Sequence, residues 1–461
     1  MALRKTPAAN EVEVTATPTV SIIMIAHNEN MYLERTFDSI MNNTPLDHLL
    51  EIIFVDDASD PPASAVLDKM GNKRIRIIRN EERTGLIRAK TAGARAAQGD
   101  VLVFLDAHIR AYPGWLEPMI QLTSQNYRRV VVPVIPVLNA KTWEQINNYE
   151  GVKLIFDWKM DFIWYVDEAP ANKLHDYVPI MSGGLLAITR RWFFETGAYD
   201  EGMLQWGGEN VEQSVKIWLC GGEIIVARNS RVGHVFREES PYQLNITQIH
   251  VNKARAIDVW FDEWANYYYR ANPFDRERRS SAESLASRFK IKEDLNCKPF
   301  STFVERFSGI MAEKHLLSTE VFGLRSTKTG LCIKLFPDGL LKGIACDAGD
   351  RGQVFIPDGW GRLRSGKFTD DCWAQQTPLG VSLCSAHEPL QKNWVVDEAA
   401  GLVKRFDGNF DIHQDDDNKK DRGNRVCIHM KDDGELSMDQ NCDEGEFEKF
   451  NIAPYDHSLY K

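Results

Sequence analysis

The chain has 461 residues, 43% hydrophobic and 10% aromatic, which is ample core for roughly two or three domains. Its 66 acidic residues against 55 basic ones give a formal charge of −11, with no Lys/Arg cluster interleaved with aromatics, so nucleic acid is not an expected partner. There is no apolar stretch of about eighteen residues, and Met1 to Pro18 reads as a polar, flexible tail without the apolar centre of a signal peptide.

Val20 to Ile25 is a β-branched run ending in Ala26-His27-Asn28-Glu29, and Leu33, Phe37 and Ile40 follow at helical spacing. Together they predict a βα unit. Glu51 to Val55, ending in Asp56-Asp57, and Ile75 to Ile78 predict two further strands, and the Ala- and Arg-rich stretch Gly85 to Gly99 predicts a helix. Alternation of this kind predicts a doubly wound α/β domain with a parallel sheet. Neither G-x-G-x-x-G nor G-x-x-x-x-G-K-[ST] occurs in the chain. A nucleotide at the strand ends would therefore need a metal for its phosphates.

The next apolar run, Val101 to Leu105, has the length and branching of a buried strand and ends in Asp106-Ala107-His108. Ligands of open α/β sheets bind at that edge. Side chains two residues apart in an extended segment point the same way, so Asp106 and His108 could share one divalent cation. An Asp that caps a helix beside a packed His would read alike. Two Gly-rich stretches follow, Met181-Ser182-Gly183-Gly184-Leu185 and Trp206-Gly207-Gly208-Glu209-Asn210. Paired glycines with a Trp and a Glu suit a sugar ring, although two tight turns around a core Trp fit as well. Val232-Gly233-His234-Val235-Phe236-Arg237 offers one more imidazole and a cation.

Cysteines divide the chain. Cys220 and Cys297 stand apart, whereas the other six form close couples, Cys332/Cys346, Cys372/Cys384 and Cys427/Cys442. Each couple is followed by an aromatic element: Gln353-Val354-Phe355, Lys392-Asn393-Trp394 and Glu448-Lys449-Phe450. One couple per repeat in a turn-rich stretch predicts a threefold all-β module. C-x-x-C spacing is absent, which favours disulfides over zinc and implies an oxidising compartment. The sequons Asn42-Asn43-Thr44 and Asn245-Ile246-Thr247 are compatible with one.

Taken together, Ala26-His27-Asn28-Glu29, Val55-Asp56-Asp57, Gly85-Leu86-Ile87-Arg88, Asp106-Ala107-His108, Gly114-Trp115-Leu116-Glu117-Pro118, Trp206-Gly207-Gly208-Glu209-Asn210 and Gly233-His234-Val235-Phe236-Arg237 resemble, in order and spacing, the polypeptide N-acetylgalactosaminyltransferases. The resemblance implies a GT-A catalytic domain over 19–298, a linker over 299–318 and a ricin-type β-trefoil over 319–461. It implies a retaining enzyme that moves N-acetylgalactosamine from UDP to Ser or Thr hydroxyls of polypeptides, with Mn2+ as cofactor. Asp106, His108 and His234 match the metal ligands; Asp57 and Arg83 match uridine contacts; Arg237 and Tyr242 match diphosphate contacts. Trp206 matches the segment closing over the phosphates, and Gly184, Glu209 and Asn210 match positions lining the sugar and reaction centre. Pairings Cys220–Cys297, Cys332–Cys346, Cys372–Cys384 and Cys427–Cys442 are expected, as is residence in the Golgi lumen with an anchor preceding the chain.

Departures from the family pattern carry expectations of their own. Ala107 replaces a Ser between the metal ligands and Ile25 a Thr, both removing hydroxyls expected near the nucleotide. A Gln243-Leu244-Asn245-Ile246-Thr247 stretch replaces a Pro-Gly-Gly loop, which should alter lid motion. No repeat keeps the Cys-Leu-Asp acid that binds sugar: the equivalents are Cys332-Ile333-Lys334, Cys372-Trp373-Ala374 and Cys427-Ile428-His429. The module is therefore expected to bind N-acetylgalactosamine poorly or not at all. The charged insertion Asp416 to Arg422 reads as a solvated loop. A GT-A transferase of another donor or acceptor, or a silent binding homologue, are the competing readings.

Overall fold

The structure is a computed structural model that describes residues 18–451 apart from 159, 161, 166–175, 238–243, 314–315, 317–321, 348–349, 358–361, 366–370, 376–377, 384–393 and 407–424. The chain folds into two compact units: Met1–Leu154, Trp164–Asn252 and Ala282–Cys297 form one, and Ile155–Ile163, Lys253–Ser281 and Lys298–Lys461 the other.

The chain's first eleven strands are β1 (Val20–Ala26), β2 (Leu49–Asp57), β3 (Ile75–Asn80), β4 (Val101–Asp106), β5 (Ile109–Ala111), β6 (Arg129–Leu138), β7 (Gln145–Gly151), β8 (Lys153–Phe156), β9 (Phe162–Tyr165), β10 (Leu186–Thr189) and β11 (Glu223–His234), and all but β8 and β9 belong wholly to the first unit. Its main sheet runs β3-β2-β1-β4-β10-β6-β11-β5, with β7 paired to β6. The β3-β2-β1-β4 half is parallel, and every residue of β1 is buried, the pattern of a strand covered on both faces. Helix α1 (Asn30–Asn43) buries Leu33, Phe37 and Ile40 along one stripe, and after the short α2 (Ser64–Leu67) comes α3 (Leu86–Ala96). A Cβ on Gly93 of α3 would fall 2.6 Å from a methyl of Ile23, so glycine lets this helix lie against the sheet.

The sheet departs from the expected all-parallel order at β10, which runs antiparallel to β4 and β6. Leu186 pairs with Phe104, so the start of β10 lies beside the carboxyl end of β4. The turn holding Gly183 and Gly184 is thereby delivered to Asp106. On the far side, β11 pairs with β6 as far as Ala227, slips in register before Arg231, and ends with His234 beside Ile109 of β5. The remaining helices of this unit include α4 (Leu116–Gln125), α5 (Arg190–Glu195) and α6 (Glu209–Leu219).

Helices α7 (Ile246–Trp260), α8 (Ala265–Ala271), α9 (Pro273–Arg276) and α10 (Ala282–Asp294) follow, and the stretch expected to be a linker carries α11 (Ser301–Arg306) and α12 (Ser308–Glu313). In the second unit Phe156, Phe261, Phe300 and Phe303 stack into one aromatic file, with neighbouring ring centroids 4.0 to 6.2 Å apart. A buried ion pair joins Asp157 to Arg364 at 3.1 Å. The end of β8 and the residue after α7 thus share packing with the chain beyond Lys298, which no sequence period announces.

From Phe322 to Asn451 the described chain is β-rich: antiparallel strands in an eight-stranded and a four-stranded sheet. Ile333, Leu335, Phe355, Trp373, Trp394, Ile428 and Phe447, drawn from all three repeats, form one core. Disulfides join Cys332 to Cys346 and Cys427 to Cys442, and Cys220 to Cys297 in the first unit. Cys384, Lys392-Asn393 and the insertion Asp416 to Arg422 lie outside the described residues.

Candidate active site

A cavity of about 470 Å³ opens at the carboxyl ends of β1, β4 and β11, lined among others by Ile25, His27, Asp57, Arg83, Asp106, His108, Gly184, Trp206, His234 and Arg237. Asp106 is the last residue of β4, and His108, two residues on, is buried. His234 arrives from β11. One ligand atom from each of the three side chains lies within 4.8 Å of the others. His234 Nε2 is 3.1 Å from Asp106 Oδ2, and the two imidazole centroids are 4.7 Å apart.

Electrostatics favour ligating forms. Burial opposes ionisation of Asp106, but the His234 hydrogen bond and the Lys90 charge hold its carboxyl well below the usual carboxylate range. Burial pushes the His234 imidazole down, against its hydrogen bond to Asp106, which favours the neutral ring. His234 Nδ1 is buried with no hydrogen-bond partner among the described residues. A carboxylate and two imidazoles that converge on one point fit a divalent metal.

The approach to Asp106 is shaped by glycine. A Cβ on Gly184 would stand 2.2 Å from Asp106 Oδ2, and one on Gly183 would stand 3.0 Å from the Asn210 Cβ. Glu209 and Asn210 begin α6 and are buried against this turn. Glu209 folds back to accept a 2.8 Å hydrogen bond from the Gly207 N–H. Burial pushes its carboxyl up, against the pull of Lys90. Asn210 donates to the Met181 carbonyl at 3.3 Å. Trp206, 36% exposed, stands at the mouth.

Asp57 lines the cavity, and its carboxylate also accepts local bonds: Asn80, the Thr84 hydroxyl and the Thr84 N–H donate to Oδ1 and the Gly85 N–H to Oδ2, at 2.8 to 2.9 Å. It therefore shapes the loop that carries Arg83 into the lining. Ala107 carries no hydroxyl toward the site, as the sequence implies. Its methyl is 1% exposed and belongs to the hydrophobic core. Ile25, in contrast, lines the cavity. Tyr242 lies outside the described residues.

Two participants escaped the sequence reading. Lys90, 2% exposed, donates to the Gly183 carbonyl at 2.8 Å and supplies charge to Asp106 and Glu209. Its place with Ile87 and Ala94 on the inward face of α3 was the available signal. Glu29, 5% exposed, accepts from Arg237 Nη1 at 2.5 Å, a pair 208 residues apart that no local pattern encodes.

Residues 21–193 match the glycosyl transferase family 2, and residues 168–239 match a family described as the N-terminal domain of galactosyltransferase. A probable N-acetylgalactosaminyltransferase 6 from Caenorhabditis elegans is 36% identical over 353 residues, 72% of this chain and 56% of the relative. Human polypeptide N-acetylgalactosaminyltransferase 14 is 39% identical over 305 residues, 64% of this chain and 54% of the relative. The chain thus spans little more than half the length of these relatives. The crystal structure of GalNAc-T7 with UDP, GalNAc and Mn2+ superposes with a TM-score of 0.64 at 27% identity, covering 96% of this chain and 83% of that one. The chain is a homologue of the polypeptide N-acetylgalactosaminyltransferases, with a GT-A glycosyltransferase domain followed by a β-rich, lectin-like region.

Proposed function

We propose that the chain transfers N-acetylgalactosamine from UDP to Ser or Thr hydroxyls of polypeptides, with retention of configuration and with Mn2+ held by Asp106, His108 and His234. The observation that carries this reading is the convergence of those three side chains on the cavity floor, with Arg237 in the same lining. The likeness to a structure containing UDP, GalNAc and Mn2+ supports it. A bound metal supplies Lewis-acid stabilisation of the departing diphosphate.

The chain's own residues do the rest. Arg237 presents a guanidinium to the diphosphate oxygens, adding charge stabilisation as UDP departs. Gly184, lacking a Cβ, lets the donor approach Asp106 closely. Glu209 and Asn210, behind that turn, brace it, and Lys90 holds its carbonyl. Retaining glycosidases place a carboxylate nucleophile opposite the anomeric carbon. Glu209 is buried behind the glycine turn, so we assign same-face attack, with the leaving diphosphate taking the proton of the acceptor hydroxyl. Arg83 and the Asp57-anchored loop receive the uridine, and Trp206 closes over the phosphates. Tyr242 is assigned to the diphosphate by the family resemblance alone. The enzyme is placed in the Golgi lumen, in keeping with its disulfides; no helix among the described residues is long and apolar enough to cross a membrane.

The test is transfer from UDP-N-acetylgalactosamine to Ser/Thr peptides with Mn2+ or chelator, alongside Asp106→Ala. Product lost with chelator and in the variant is expected. Transfer from a different UDP-sugar in the same assay would reassign the donor, a possibility that Ile25 in the lining keeps in play, and a folded chain without transfer or donor hydrolysis would reject the enzyme reading.

A further inference from the structure

Glu29 immediately precedes α1, at the position where a short polar side chain ordinarily caps a helix, and it makes no capping hydrogen bond. Its carboxylate turns into the cavity wall and bridges two groups. Oε1 accepts from Arg237 Nη1 at 2.5 Å, and Oε2 lies 3.4 Å from His108 Nδ1. The second contact falls short of hydrogen-bond alignment, and neither Oε2 nor His108 Nδ1 has another hydrogen-bond partner among the described residues. At 5% and 6% exposure, neither residue has ready access to water.

We infer that Glu29 is a positioning residue that couples the metal site to the diphosphate-binding cation. By facing Nδ1 it fixes the His108 tautomer that carries its proton there, leaving Nε2 as the ligand atom; by holding Arg237 it sets where the guanidinium stands. Imidazole ligands are commonly oriented by a carboxylate on their other nitrogen, and losing that partner typically weakens metal binding about 10- to 100-fold. Tyr32 packs near the same imidazole, with ring centroids 6.0 Å apart, restricting its tilt. The bridge explains why the strand end Ala26-His27-Asn28-Glu29 carries an acid at this position. The inference rests on the metal assignment made under the proposed function.

The experiment is calorimetric titration of Mn2+ alone into the full chain, comparing unsubstituted protein, Glu29→Gln and Asp106→Asn. Glu29→Gln is expected to bind Mn2+ about 10- to 100-fold more weakly, and Asp106→Asn not measurably. Equal affinity of Glu29→Gln and unsubstituted protein overturns the inference and leaves the metal assignment standing. No binding by unsubstituted protein overturns the metal assignment itself. Should Glu29→Gln fail to fold, nitrogen NMR of the metal-free, histidine-labelled unsubstituted chain decides: a His108 ring protonated at Nδ1 supports the positioning role, and one protonated at Nε2 rejects it.

Discussion

Gly184 and Asp106 touch so closely that the first carbon of any side chain at Gly184 would lie 2.2 Å from Asp106 Oδ2 and 2.8 Å from its Cγ. Asp106 cannot easily yield, since His234 holds the same oxygen at 3.1 Å. Gly184→Ala should therefore displace the carboxylate or the start of β10. Displacements near 1 Å cost about 100-fold in rate, and overpacking about 1–3 kcal/mol in stability. We expect transfer and Mn2+ affinity to collapse while the chain stays folded. Wild-type rates from a folded Gly184→Ala chain would contradict this geometry.

A second prediction concerns α6, which carries Glu209 and Asn210 at its start. Lys216, fully buried on that helix, donates to the Ala198 carbonyl at 2.6 Å and pairs with Glu212 at 3.2 Å; Arg288 binds the same Glu212 at 2.9 Å. Burial pushes the Lys216 ammonium down to about 8, with Glu212 opposing. An unfolded lysine titrates near 10.4. Between these values the unfolded chain binds more protons, so the stability contributed here rises with pH, and the full desolvation penalty applies below about pH 8. Relative to Lys216→Met, the unsubstituted chain should gain on the order of 2 kcal/mol between about pH 7.5 and 10. Denaturant midpoints of both proteins across that window check it; parallel curves would exclude the assignment.

The Cys220–Cys297 bridge closes a separation of 77 residues, from the C-cap of α6 to the chain just beyond α10. Its loss as Cys220→Ser/Cys297→Ser should destabilise the first unit by about 4 kcal/mol, mostly by freeing the unfolded chain. Arg288–Glu212 still ties α10 to α6, so folding should survive at low temperature. Calorimetry of the double variant tests this, and an unchanged midpoint would refute it.

In the lectin-like region Lys334, which the sequence resemblance matches to the family's sugar-binding acid, has its Nζ 2.6 Å from Asp350 Oδ2 and 5.2 Å from the Phe336 ring centroid. The ammonium satisfies the nearby carboxylate and leaves no acceptor pair for a sugar's hydroxyls. We expect no saturation-transfer NMR signal from N-acetylgalactosamine when the catalytic site is filled with UDP. Lys334→Asp should not create binding either, because it sets two carboxylates together. A clear sugar signal that Lys334→Asp alters would place a working site in this repeat.

What the sequence itself determined is local. Val20 to Ile25 and Val101 to Leu105 are read as strands because buried parallel strands need unbroken apolar runs, and Asp106 with His108 is legible because spacing of two in an extended chain means a shared direction. The Cys couples and repeated aromatics announce the β-rich region because each couple encloses a short loop and recurs once per repeat. Only the tertiary structure decided what meets across the sheet. The antiparallel insertion of β10 brings Gly184 to Asp106, the register slip in β11 precedes the segment that ends at His234, and the inward face of α3 buries Lys90 under both carboxylates. The four local donors that gather on Asp57, and the place of the Ala107 methyl in the core, likewise appear only in the assembled fold. Glu29 and Arg237, 208 residues apart, form a pair that exists only after the sheet has assembled. Local periodicity fixes which way a side chain faces along its own element, whereas the partner it finds depends on strand order and register, which are set by the packing of the whole sheet.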